Sequence, residues 1–178
     1  HEDCRRQRQM CIRDRMGGGF FEGGNITPAA EFNIYVDPEA AKIVLDSGVK
    51  ITMLPLDVTH KTLVQRDFLE KLRKSGKNSA NEAAKLLDFF ERYDVEKYGS
   101  QGGPLHDPNV IVYLLDSAIY EGKLVNVEIE VNSELTRGMT VVDWWNVTNR
   151  KPNAYYIIDV KDDKFFEVVL NKVLSLEI

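Results

Sequence analysis

Cysteine is scarce and confined to one end of the chain: Cys4 and Cys11 are the only two in 178 residues, so no disulfide framework can hold the main body together. That usage fits a reducing compartment, and a cytoplasmic location is the expectation. Long apolar runs are also missing. The most apolar stretch, Val110 to Tyr120, is interrupted by Asp116 and falls well short of the roughly 20 residues a spanning helix requires. No transmembrane segment is expected. No stripe of Lys and Arg occurs beyond the first fifteen residues, and the formal net charge is −5. A surface built to neutralise phosphates, and with it a nucleic-acid partner, is therefore excluded. The glycines at 17 to 19 and 23 to 24 form neither GxGxxG nor a P-loop, which excludes NAD and nucleoside triphosphates. Asp57, Asp159, Asp162 and Asp163 are acidic but lack the spacing of an EF-hand.

What is present is an ordinary soluble mix, 43% hydrophobic and 29% charged, in a length that suits one domain or part of a larger one. The first fifteen residues stand apart. His1 to Arg15 carries five Arg and three acids with almost no apolar periodicity, and it lacks the apolar core of a signal peptide. We read residues 1–15 as a non-native prefix, translated cloning or adapter material, because a loop at Met16-Gly17-Gly18-Gly19 should follow a buried strand and none is legible there. A short basic tail is the alternative. Residues 16–178 are then part of a single domain.

Within that part, Gly17, Gly18, Gly19, Gly23 and Gly24 surround Phe20 and Phe21, which predicts a loop needing positive φ or close approach to a ligand. Pro38 to Asp46 has Pro and Glu in its first turn and Gly48 just beyond its end, the start and stop signals of a helix. Lys50 to Leu56 reads as a buried strand. Helices are expected at Arg66 to Lys74, at Ser79 to Tyr98, where Ala83, Leu86, Leu87, Phe90 and Tyr93 recur at helical spacing, and at Pro108 to Leu115. Val125, Val127, Ile129 and Val131 alternate with polar residues, the period of a half-solvated strand. Further strands are expected at Met139 to Trp145 and Ala154 to Val160, and a last helix from Asp162 to Leu174. Helices and strands interleave early and strands cluster late, predicting an α/β mixed sheet flanked by helices with an antiparallel extension. Ligands in such sheets sit at the carboxyl ends of strands, where the glycine loop would lie.

Two segments carry candidate chemistry. In GNITPAAEFN (Gly24 to Asn33), Asn25, Glu31 and Asn33 offer a carboxylate and two amides, a set that suits a polyhydroxylated ligand because sugar hydroxyls want paired donors and acceptors. Helix capping and turn bonding by the same Asn and Glu is the competing reading. In GPLHDP (Gly103 to Pro108), His106 could act as a general acid and Asp107 could ligate a hard cation. The simpler reading makes Asp107 an N-cap with Pro108 at N1. His60 follows the strand Lys50 to Leu56, and Thr59 is expected to cap a helix there. Trp144 and Trp145 are expected to serve core and surface packing.

Taken together and in this order, the two segments resemble the inosine–uridine-preferring nucleoside hydrolases, over essentially Met16 to Ile178. The resemblance implies a Rossmann-like nucleoside-hydrolase sheet and hydrolysis of the N-glycosidic bond of ribonucleosides to ribose and free base through a calcium-bound water. By resemblance, Asp107 is a calcium ligand, and Met16, Asn25, Glu31 and Asn33 line the ribose pocket. Phe32 packs near the sugar or base, Tyr98 approaches the base, and His106 assists its departure. The expected partners are a small-molecule nucleoside and further copies of the same chain, as homodimer or homotetramer. The family's DTDPGxDD cluster, which supplies most calcium ligands and the general base, is absent from these residues, as are the first strands of the sheet. A lone Asp107 cannot give calcium its usual six to eight oxygens, so this chain is expected to be inactive and poorly stable by itself. A non-catalytic ribose- or nucleoside-binding remnant is the alternative, and a purely structural interaction module is disfavoured.

Overall fold

The first two helices of this chain begin where the sequence supplies a cap. In the computed structural model, which describes residues 14–98 and 102–176 without the side chains of 90–98, helix α1 spans Phe32–Val36 and α2 spans Pro38–Asp46. Asp37 accepts the Ala40 N–H at 3.0 Å and Pro38 follows at N1, where its missing N–H costs nothing. The expected bounds of α2 are those observed.

The contacts divide the described chain into two units, one running up to Val58 together with Tyr120–Asp159, the other holding Thr59–Ile119 and the residues from Val160 on. The first unit is built on a sheet of β1 (Asp14–Met16), β2 (Ile51–Leu54), β6 (Ala154–Val160) and β3 (Tyr120–Val125), in the order β1-β2-β6-β3. β1 runs parallel to β2, and β2 runs parallel to β6 with Met53 opposite Tyr156. A strand therefore does precede the glycine loop, contrary to expectation. It is only three residues long and half-buried, so no local apolar pattern announces it; its pairing with Thr52–Leu54 defines it.

The strand expected at Lys50 to Leu56 is shorter, because Pro55 cannot continue the ladder and Leu56 opens a one-turn helix, α3 (Leu56–Thr59). The expected period-two strand from Val125 is real in its burial, with Val125, Val127 and Ile129 all inside. It breaks at Asn126, however, into β3 and a separate antiparallel ribbon of β4 (Val127–Ile129) and β5 (Thr140–Val142). The Asn153 side chain takes the place of a strand neighbour, accepting from Val127 N at 2.8 Å and donating to its carbonyl at 2.9 Å. Ile34, Met53 and Tyr156, each 0–1% exposed, lead the core of this unit, and burial of each such side chain contributes about 1.5–3 kcal/mol. Trp144 packs against that core while Trp145 is exposed, as expected.

The second unit is helical: α4 (Arg66–Lys74), α5 (Asn78–Tyr98), α6 (Pro108–Leu115) and α7 (Asp162–Ser175), with α7 against each of the other three. Asp67 in the first turn of α4 and Lys71, Arg73 and Lys74 in its last complement the helix dipole. Its buried residues Phe68, Leu69 and Leu72 share a face, and Phe68 meets Phe166 of α7 with ring centroids 4.8 Å apart. Among the described residues no helix is long and apolar enough to cross a membrane.

Candidate functional site

The loop that leaves the carboxyl end of β1 is held by two buried carboxylates of the first unit. Glu31, 2% exposed, accepts the Gly18 N–H at 2.9 Å on Oε2, the Asn33 N–H at 2.8 Å on Oε1 and the Ile34 N–H at 3.3 Å on Oε2. It thereby caps α1 and also ties that helix to the glycine loop. Gly18 has φ +88°, and a Cβ there would lie 2.9 Å from Thr140 Oγ1, so both backbone and space require glycine.

Around Glu31 the structure gathers the other candidates of this segment. Asn25 Oδ1 accepts the Phe32 N–H at 2.8 Å, and Asn33 Nδ2 donates to Met16 Sδ at 3.1 Å. Phe32 is 52% exposed. Met16, Asn25, Glu31, Phe32 and Asn33 thus form one cluster, and the capping role weighed for Glu31 coexists with it. Oε1 accepts a single N–H and keeps a lone pair. Arg15, placed by sequence in the excluded prefix, belongs to this cluster: burial lowers the pKa of its guanidinium, and the charge of Glu31 opposes that shift.

Asp57, which the sequence offered only as an acid without metal-loop spacing, holds the loop instead. Only 4% exposed, it receives the N–H groups of Phe20 at 3.0 Å, Phe21 at 2.6 Å and Glu22 at 2.8 Å, together with the Tyr156 hydroxyl at 2.7 Å. An acid two residues beyond a proline that ends a buried strand was the available signal. Burial, then the Asp57 charge, raise the Tyr156 phenol well above its ordinary pKa, so it is a donor throughout the neutral range.

In the second unit, residues 62–64 pair with 103–105, Val64 N donating to Gly103 O at 3.0 Å and Leu105 N to Thr62 O at 3.0 Å. This pairing presents His106. Its Nδ1 lies 2.8 Å from Thr59 Oγ1, and its ring centroid is 5.7 Å from that of His60. Burial first, and His60 second, lower the His106 pKa to about 4. The expectation that His106 acts as a general acid is thus narrowed, since with its pKa lowered to about 4 it is mostly neutral at pH 7. Thr59 is corrected, since it ends α3 instead of capping a following helix, and its hydroxyl serves His106. Asp107 holds the N-cap position of α6, yet its side chain makes no capping bond and is exposed. Tyr98 ends α5, and its side chain lies outside the described residues.

Among the described residues no three His, Cys, Asp or Glu side chains are grouped so as to hold a metal ion. One exposed carboxylate does not fit calcium, which takes about six to eight oxygens.

Known proteins agree on what this arrangement belongs to. The model of the family described as inosine-uridine preferring nucleoside hydrolase matches residues 15–167. An uncharacterised protein of Schizosaccharomyces pombe is 48% identical over 158 residues, 89% of this chain and 51% of that protein. A pyrimidine-specific ribonucleoside hydrolase of Salmonella gallinarum is 45% identical over 157 residues, 88% of this chain and 50% of its own length. Among solved structures, the purine-preferring ribonucleoside hydrolase of Gardnerella vaginalis superposes with a TM-score of 0.80 at 27% identity, covering 89% of this chain and 50% of that one. The chain spans about half the length of the relatives it matches. Its α/β sheet, its glycine loop and its two motif segments are those of a member of the inosine-uridine preferring nucleoside hydrolase family, to which this chain belongs.

Proposed function

We propose that this chain is part of a protein that hydrolyses the N-glycosidic bond of ribonucleosides to ribose and free base, with a sugar-binding role for Met16, Asn25, Glu31, Phe32 and Asn33 and a role in base departure for His106. The observation that carries this reading is the gathering of a buried carboxylate and two carboxamides around a glycine loop at the carboxyl end of a parallel strand. A sugar diol presents hydroxyls that both donate and accept, and Glu31 Oε1 and the amides of Asn25 and Asn33 are complementary to it. A fixed carboxylate also favours the positive charge that grows on the sugar as the base departs, because its dipolar surroundings are set before reaction. His106, neutral at pH 7, assists the departing base as a hydrogen-bond donor from an uncharged ring.

The calcium ion implied by the family resemblance would supply Lewis-acid chemistry to the diol and to water. The described residues do not fit it: Asp107 is one ligand where several are needed. This chain alone is expected to release no base. Association into a homodimer or homotetramer and a cytoplasmic location belong to the same proposal.

The test uses the chain in calcium-containing buffer, with uridine first because one relative is named pyrimidine-specific, then inosine. Base release is followed by chromatography, and D-ribose binding by calorimetry. Binding of ribose without base release is expected. Sustained release of base would overturn the expected inactivity, and a folded chain blind to ribose would overturn the sugar site. The lack of a convergent acid cluster among the described residues favours a second reading, a non-catalytic ribose- or nucleoside-binding remnant. Micromolar calcium binding by this chain would remove it.

A further inference from the structure

Asp57 is a buried carboxylate that the sugar-binding reading leaves unused. No Lys or Arg among the described residues forms an ion pair with it, and burial of a carboxylate is costly by several kcal/mol unless hydrogen bonds replace its water. Four do so. Three come from the consecutive N–H groups of Phe20, Phe21 and Glu22, and the fourth from Tyr156 Oη. Successive N–H groups converge on one anion only when the backbone curls into a concave nest, so the carboxylate selects that curl. Tyr156, 0% exposed on the central strand β6, fixes the orientation of the carboxylate in turn. The same loop is held at its other end by Glu31 on Gly18 N and by Leu56 N donating to Gly18 O at 2.8 Å.

We propose that Asp57 and Tyr156 are positioning residues, which hold the Phe20–Glu22 turn and thereby the loop between Met16 and Asn25 in the form that accepts the sugar. The inference rests on the ribose reading given above. Neither residue needs to touch the ligand. Their charge and hydroxyl act on the backbone that joins two ligand-side residues, and Phe21 is carried with that backbone against Trp144, with ring centroids 5.8 Å apart.

Tyr156→Phe keeps the buried ring and removes one hydroxyl; Asp57→Asn keeps the shape and turns one acceptor into a donor facing N–H groups. Amide spectra and hydrogen exchange report on Phe20, Phe21 and Glu22, with the Gly18 amide as an internal control, and D-ribose titration reports on the site. Tyr156→Phe is expected to lower exchange protection at Phe20–Glu22 by about tenfold, the loss of one hydrogen bond to a charged group. The carboxylate-shifted amide resonances should move upfield, Gly18 should stay protected, and ribose should bind about tenfold more weakly. Asp57→Asn should exceed these effects; if it does not fold, Tyr156→Phe carries the test. Unchanged protection and unchanged resonances in both variants would overturn the inference. Wild type that binds ribose, with variants that bind it equally well, would overturn the positioning role alone, whereas wild type that binds no ribose overturns the sugar reading itself.

Discussion

Glu31 illustrates how one side chain here serves architecture and site at once. Glu31→Ala would leave the N–H groups of Gly18, Asn33 and Ile34 without their acceptor. The expected loss is about 2–4 kcal/mol of unfolding free energy, measured by urea denaturation, with Glu31→Gln losing less. A loss within a few tenths of a kcal/mol would show that the loop finds other acceptors. His106 gives a pH signature. Its folded pKa is depressed to about 4, below the roughly 6.5 of an unfolded histidine. The unfolded chain therefore takes up the proton first as pH falls, so the stability tied to neutral His106 is complete above about pH 6.5 and is lost progressively towards pH 4, at up to about 1.4 kcal/mol per pH unit. Urea midpoints at pH 7, 5.5 and 4.5 check this, and His106→Asn should flatten the difference. Equal slopes in the two proteins would remove His106 as the cause.

At the scale of elements, the loop after β1 is intolerant of volume and the turn after α2 is not. A Cβ at Gly19 would sit 2.1 Å from the Gly23 carbonyl oxygen, whereas one at Gly48 meets nothing within 4 Å although its φ is +76°. Gly19→Ala must displace backbone and is expected to cost more than about 3 kcal/mol. Gly48→Ala carries only left-handed strain, about 1–2 kcal/mol. Both lie in one unit, so their denaturation midpoints are directly comparable, and equal losses would contradict the close approach seen at Gly19. In the helical unit, Leu72 is 0% exposed on α4, and Leu72→Ala should cost about 2–5 kcal/mol by the same measurement.

At the scale of the whole molecule, the sheet order β1-β2-β6-β3 gives β1 a partner on one side only among the described residues, and an open parallel edge invites further pairing. Concentration-dependent association is expected in sedimentation velocity; a sedimentation coefficient that does not vary with concentration would count against an available edge. The sequence by itself determined the helices with local start signals, such as Pro38–Asp46, capped by Asp37, and Pro108–Leu115, which opens on a proline, because such signals act between neighbours in the chain. It determined Ala154–Val160 and the inward face of Val125, Val127 and Ile129 by apolar patterning alone, and the family through two short motifs. Only the tertiary structure decided that Asp14–Met16 is a strand, since its partner Thr52–Leu54 lies beyond two helices. It also decided that Asp57 is a fixed carboxylate, because its four donors come from Phe20–Glu22 and Tyr156, and that His106 stays neutral, because burial and His60 set its charge. Burial and hydrogen bonds between residues far apart in the chain have no local signature, and in this protein they are what set the chemistry of the site.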